Sequence, residues 1–234
     1  MSDPAQEHIL AGDPPVVVRL RRSAQARRYS LRVSRLDGQV TLTLPARASR
    51  AKGIAFVEQK AAWIRQRLAD RPEEVAVVEG ASIPLRGRPF RIAPGLRSAV
   101  LNDDGVIEVS ARVKSVPRAV RTLLMAEARA DLERDCAAFA GRLGAAYSRI
   151  DLRDTRSRWG SCSAQGRLMF SWRLVLAPPE ILSYVAAHEV AHLVHMDHSA
   201  AFWRAVARLW PEYQSHRRWL RQNGDLLHRY RFDH

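Results

Sequence analysis

The most chemically loaded stretch of the chain is His188-Glu189-Val190-Ala191-His192, an H-E-x-x-H pentapeptide. On a helix, residues four apart share a face about one turn apart, so the two imidazoles can reach one metal ion from the same side. Glu189 stands beside the first imidazole, close enough to hold a metal-bound water without being a ligand. A zinc ion lowers the pKa of such a water to about 7, and a carboxylate can take its proton as the water attacks a carbonyl. Catalytic zinc takes three protein ligands and leaves one position open. His198 stands ten residues after His188, the spacing of the last histidine in H-E-x-x-H-x-x-G-x-x-H. The glycine of that longer pattern is His195 here, so the chain must turn back otherwise, through Met196 and Asp197. Glu212, twenty residues after His192, is the alternative third ligand. His198 is favoured, because a residue just past the helix end needs no long-range placement. His195 is expected at the rim.

The flanking sequence supplies the helix that this motif needs. Pro178 and Pro179 suit a first helical turn, and the apolar residues Ile181, Leu182, Val185 and Val190 follow, giving a helix that runs to about His195. Ser199 is placed to cap another helix through Leu209. Pro211 starts a last one, which Gly224 ends. Upstream, Pro117 opens a helix whose stripe is Val120, Leu124, Ala128, Leu132, Cys136, Phe139 and Leu143, with Cys136 as a buried small hydrophobe. Between these helices a β-hairpin is expected, with strands near Thr155–Cys162 and Arg167–Leu174 joined around Gln165-Gly166. Its first strand is a candidate edge for pairing with an extended substrate. The competing reading is core packing by Trp159 and Cys162.

The first half reads differently. Residues 1–14 look like a frayed terminus. Strands follow at Val16–Arg22, Tyr29–Val33 and, after the Asp37-Gly38 turn, Val40–Leu44. Ser49–Asp70 reads as one helix. Further strands are expected at Ile83–Ile92, Ala99–Leu101 and Val106–Val109, and no internal repeat is visible. The expected fold class is α+β, with a mostly antiparallel β region carrying one helix over residues 16–115 and a helical catalytic unit over 116–230.

The chain has 234 residues and a net charge of +14. Arginine dominates: the lysines are Lys52, Lys60 and Lys114 alone among 38 basic residues. A positive surface rich in planar guanidinium groups suits anionic partners such as nucleic acid or nucleotides. No apolar run approaches the 18 or so residues of a membrane span. Met1–Leu20 contains acids and no basic start before an apolar stretch, so no secretory leader is expected. The two cysteines, Cys136 and Cys162, cannot build a disulfide scaffold. The expected location is cytoplasmic.

Val185–Leu193, followed by Asp197-His198-Ser199 and Phe202-Trp203, resembles the YgjP-like (DUF45) zinc metallopeptidase family, related to SprT-like and WLM proteases. Ser157-Arg158-Trp159-Gly160-Ser161-Cys162-Ser163, Ser171-Trp172-Arg173-Leu174 with Ala177-Pro178-Pro179-Glu180, and Trp210-Pro211 with Arg217-Arg218-Trp219-Leu220 carry the likeness further. It spans roughly residues 16–224. The resemblance implies a zincin-like C-terminal unit with Zn2+ held by His188, His192 and His198, and Glu189 as general base. One departure is Asp197, where asparagine is expected; it either caps the turn or adds negative charge near the metal.

The leading functional expectation is a zinc-dependent hydrolase, a metallopeptidase acting on peptide or protein substrates. Arg158, Trp159 and Tyr213 are candidate substrate-binding residues, and Tyr213, Arg158 and His195 are candidate donors to an oxyanion. Two alternatives follow from the arginine load. One is a metal-dependent nucleotide pyrophosphohydrolase, although such chemistry usually employs carboxylate-rich sites. The other is a DNA-associated protease that docks through the arginines of residues 19–35.

Overall fold

The computed structural model describes residues 6–232 apart from 36 and 97. Two compact units divide at Glu73/Glu74. The first begins with four strands: β1 (Gln6–Leu10), β2 (Val16–Ser23), β3 (Ser30–Val33) and β4 (Val40–Pro45). They form one sheet in the order β1-β2-β4-β3, with β2 and β4 parallel and the outer pairs antiparallel. Alternation divides the faces. Val18, Leu20, Val40, Leu42 and Leu44 are buried with Val57 and Ile64 of the following helices, while Arg19, Arg21 and Arg32 are exposed. Residues 6–10, expected to fray, instead form β1. The single helix expected over 49–70 is two, α1 (Arg50–Gln59) and α2 (Ala61–Ala69), broken at Lys60, whose N–H donates to the carbonyls of Phe56 and Val57. Ser49 caps α1 by accepting from Lys52 N–H.

The second unit opens with β5 (Val75–Ala76), β6 (Ser82–Leu85), β7 (Arg88–Gly95), β8 (Val100–Leu101) and β9 (Val106–Ser110). Its first sheet runs β6-β7-β9-β8, again antiparallel, parallel, antiparallel. The strand order and pairing of the first unit therefore recur. Strand and loop lengths differ between the two, which hides the repetition from the sequence. Both sheets are thus mixed: the pairings are mostly antiparallel, as expected, around one parallel central pair in each.

A long helix follows, α3 (Val116–Leu143), capped by Ser115. Then come β10 (Arg149–Arg153), β11 (Gly160–Cys162) and β12 (Arg167–Ser171), ordered β10-β12-β11. β11 and β12 form the expected antiparallel hairpin, and β10 joins β12 in parallel. A 3-10 turn at Trp172–Leu176 replaces the end of the expected strand and leads into α4 (Pro179–Ala191). α5 (Ala200–Leu209), α6 (Tyr213–Asn223), a 3-10 turn at Gly224–His228 and β13 (Tyr230–Arg231) complete the chain, with β13 parallel to β5. The result is an α+β chain with a mixed β region and a C-terminal helical segment.

The boundary expected at 115/116 falls inside the second unit. Ile83, Leu85, Ile92, Ile107 and Val109 belong to the same core as Leu124, Leu132, Trp172, Val190 and Phe202, because the β6–β9 sheet packs onto α3 and the 3-10 turn before α4. Buried polar groups lock this core. Ser183 of α4 donates to Asp135 of α3, and Arg86 and Arg134 both donate to Asp131. Arg173 is buried, pairs with Asp154 at 2.6 Å, and donates to the carbonyls of Leu227 and Tyr230, tying the chain's last segment to the helical unit. Among the described residues no helix is long and apolar enough to cross a membrane.

Candidate metal centre

α4 is almost wholly buried, flanked by α3, α5 and α6. His188 and Glu189 occupy its last turn, and His192 is its C-cap. The helix ends four residues earlier than the apolar pattern suggests. Leu193 N–H bonds back to Val190 and Val194 N–H to Ala191, a tightening common at helix ends. The return needs no glycine, since Arg86 is the sole non-glycine with positive φ among the described residues. Asp197 Oδ1 accepts Ser199 N–H, and Ser199 in turn caps α5 by accepting Phe202 N–H. The Asp197 carboxylate is held below its usual range by the bonds to Ser199, so this departure from the family pattern makes the turn.

That turn brings His198 back over α4. One ring nitrogen each from His188, His192 and His198 lie within 4.8 Å of one another, the one group of metal-ligating type found among the described residues. His188 Nε2 and His198 Nε2 are 3.3 Å apart. With zinc–nitrogen bonds of about 2.0–2.1 Å, two ligands on a tetrahedron lie about 3.3–3.4 Å apart, so this spacing fits a shared ion. His192 Nδ1 lies 2.9 Å from the His195 carbonyl oxygen. Donation from Nδ1–H to that oxygen leaves the Nε2 lone pair free, an arrangement typical of metal-binding histidines. His195 therefore serves the centre through its backbone. Burial first, then the neighbouring imidazoles, push the His188 pKa down to about 3, and burial lowers His192 as well. Neutral rings are the form that binds metal. Imidazole donors suit zinc and its transition-metal neighbours, not magnesium. Glu212, the alternative third ligand, is exposed at the start of α6 and stands outside the group.

Two supports for this cluster are not visible in the motif. Phe202 of α5 is fully buried, stacks on His192 at 4.4 Å and meets His188 and His198 edge-on at 4.9 Å. Its place in an x-x-Phe-Trp stretch after Ser199 was the available signal. Gly160 of β11 is the second: a Cβ there would come within 2.6 Å of both Cγ and Oε1 of Glu189. The strand thus presses its backbone against the carboxylate. Glu189 is buried, and burial pushes its pKa up to about 8, opposed by the charge of Arg158. Gly160→Ala should lower kcat by about 100-fold, the cost of misplacing a reacting group by an ångström, with metal content unchanged. Steady-state kinetics beside elemental analysis would check this; wild-type turnover would refute it.

Three hollows adjoin the centre. One, of about 450 Å³, is floored by His188, Glu189, His192 and His198 and edged by Arg158, Gly160 and Cys162. A second, of about 550 Å³, continues along Ser157, Arg158, Ser161 and Cys162 toward Arg153. The third, of about 330 Å³, lies between Trp159, Tyr184, Leu220, Arg217 and Arg221. Of the candidate substrate-binding residues, Arg158 lines the first two hollows and Trp159 the third. Tyr213 instead stacks on Trp203 at 5.3 Å and lines none of these three hollows. Tyr184, one turn before His188 on α4, does line the third hollow, and burial pushes its hydroxyl up to about 12. Burial also raises the Cys162 thiol, which disfavours the thiolate form. Gly224 ends α6 as expected, with φ −56°, and it is small because the Trp159 indole lies 2.9 Å from where a Cβ would sit.

Residues 27–223 match a family model described as YgjP-like, metallopeptidase domain. No protein of curated function matches the chain. Among solved structures, the chain is similar to the crystal structure of the metallopeptidase zymogen of Pyrococcus abyssi abylysin, at 21% identity over 39% of this chain and 93% of that one, with a TM-score of 0.36.

Proposed function

The chain belongs to the YgjP-like metallopeptidase family and is a metal-dependent hydrolase, and we propose that it is a zinc-dependent peptidase of zincin-like design. His188, His192 and His198 are its ligands and Glu189 its general base. The observation that carries this reading is the convergence of three imidazoles within 4.8 Å, with a buried carboxylate on the residue next to His188. When bound, zinc supplies a Lewis acid that polarises a carbonyl and acidifies water.

The protein's own groups do the rest. Glu189, wedged against Gly160, has little freedom to leave the reacting centre. It takes a proton from the attacking water and delivers one to the departing amine. β11 pairs only with β12 among the described residues, so its other edge is open to an extended peptide. Backbone pairing there tolerates many sequences while holding the scissile bond over the histidines. Arg158 beside Glu189 is the best-placed donor to a developing oxyanion.

The pyrophosphohydrolase alternative is less well supported, because the centre combines three imidazoles with one carboxylate. For the DNA-associated variant, the exposed sheet face with Arg19, Arg21 and Arg32 is the available docking surface. The test is metal dependence. Purified protein should contain one zinc per chain and cleave unstructured peptides. Chelation should abolish that activity, and zinc should restore it where magnesium does not. Restoration by magnesium alone, or a metal-free active protein, would overturn the proposal.

A further inference from the structure

The hollow between Trp159, Tyr184, Val185 and Leu220 has His188 and Glu189 at its floor and Arg217 and Arg221 at its rim. Arg217 and Arg221 stand four residues apart on α6, on one face, where like charges repel. α6 carries no acidic residue to neutralise them, and both guanidinium charges act on Tyr184 inside the hollow. The Arg217 guanidinium carbon lies over the Trp203 ring, 4.7 Å from its centroid, and Trp203 is stacked on Tyr213. A guanidinium so placed has its fork pre-oriented, and that fork matches a carboxylate in bidentate geometry. Aromatic and aliphatic walls fit a short methylene stem below such a headgroup.

We infer that this hollow is a specificity pocket for a substrate carboxylate, bound by Arg217 and Arg221 on one side of the scissile bond. This deepens the peptidase reading and rests on it for the identity of the substrate as a peptide. The carboxylate comes from an Asp or Glu side chain or from a free chain terminus, and both present the same chemistry to the arginines.

The test uses the full chain as the zinc-loaded Glu189→Gln variant, with fluorescein-labelled hexapeptides differing at one central position, Glu, Leu or Lys, each amidated at its C-terminus. A further Leu peptide keeps its free terminal carboxylate. Anisotropy at low salt should show the Glu peptide binding roughly tenfold more tightly than the amidated Leu peptide, and the Lys peptide more weakly than either. A preference carried by the free-terminus peptide instead would place the carboxylate at the chain end. Arg217→Glu with Arg221→Glu should invert the order. Arg217→Gln with Arg221→Gln should flatten it, a second check should the reversed pair fold poorly. In the wild type, the kcat/KM ratio of Glu over Leu peptides should follow the binding ratio. Equal binding of all peptides, or a preference that survives both double variants, overturns the inference whether or not peptides are cut. Carboxylate-selective binding without cleavage leaves the pocket standing and defeats the peptidase reading. ATP that displaces the Glu peptide and is itself hydrolysed, with peptides left intact, overturns the inference in favour of a phosphate pocket.

Discussion

Glu189→Gln should lower kcat for peptide hydrolysis by about 10²–10⁴-fold, the usual contribution of a positioned general base, while leaving zinc content and KM near wild type. The substitution is nearly isosteric, so the carboxamide keeps the contact with Gly160. It removes only the ability to accept and return a proton. That separates it from Gly160→Ala, which moves the carboxylate but keeps its chemistry, and from loss of a histidine, which removes metal and turnover together. The check is a single preparation assayed for zinc stoichiometry and for cleavage of a quenched peptide. Wild-type turnover in Glu189→Gln would show that another group takes the proton. Loss of zinc in the same variant would show that Glu189 is a ligand.

What the sequence made legible follows from how local each cause is. The histidine cluster depends on spacings of four and six residues, His188 to His192 to His198, which helix geometry and one tight turn convert directly into proximity. Caps are equally local: Ser49, Ser115 and Ser199 each accept from the residue three positions on. Gly160 could not be read the same way. It is glycine because a strand from the hairpin meets α4 at the Glu189 carboxylate, a contact across 29 residues (160 to 189) that no periodicity announces. The early end of α4 was hidden because Leu193 and Val194 continue the apolar pattern although the chain already turns there. The expected boundary at 115/116 lies inside the second compact unit for a related reason. Pro117 marks a helix start correctly, but a helix start is not a domain edge when the preceding sheet buries its face on that helix. Arg217 was visible only within the family-like Arg217-Arg218-Trp219-Leu220 stretch, and Arg221 only as part of the general arginine load. Their meaning comes from the hollow that α6 helps to enclose.

The metal itself should report on the ligand set without any substrate. In zinc-free protein one ring nitrogen from each of three imidazoles lies within 4.8 Å of the others. A single ion can accept all three lone pairs at once. Zinc at 100 times its Kd should therefore stabilise the wild type by about 2.7 kcal/mol, raising Tm by about 5–10 °C for a unit of this size. His198→Ala should erase that shift at the same zinc concentration. His198 lies exposed beyond the helix end, so its removal opens no core cavity and the variant should melt close to the zinc-free wild type. His192→Ala should also lose the shift, but with a lower baseline, because the ring packs on Phe202 at 4.4 Å. Glu212→Ala and His195→Ala should retain it, the first because Glu212 stands outside the cluster, the second because His195 contributes a main-chain carbonyl. Thermal melts of the five proteins with and without zinc settle the assignment. An undiminished shift in His198→Ala, together with its loss in Glu212→Ala, would transfer the third coordination position to the carboxylate and remove the convergence on which the peptidase proposal depends.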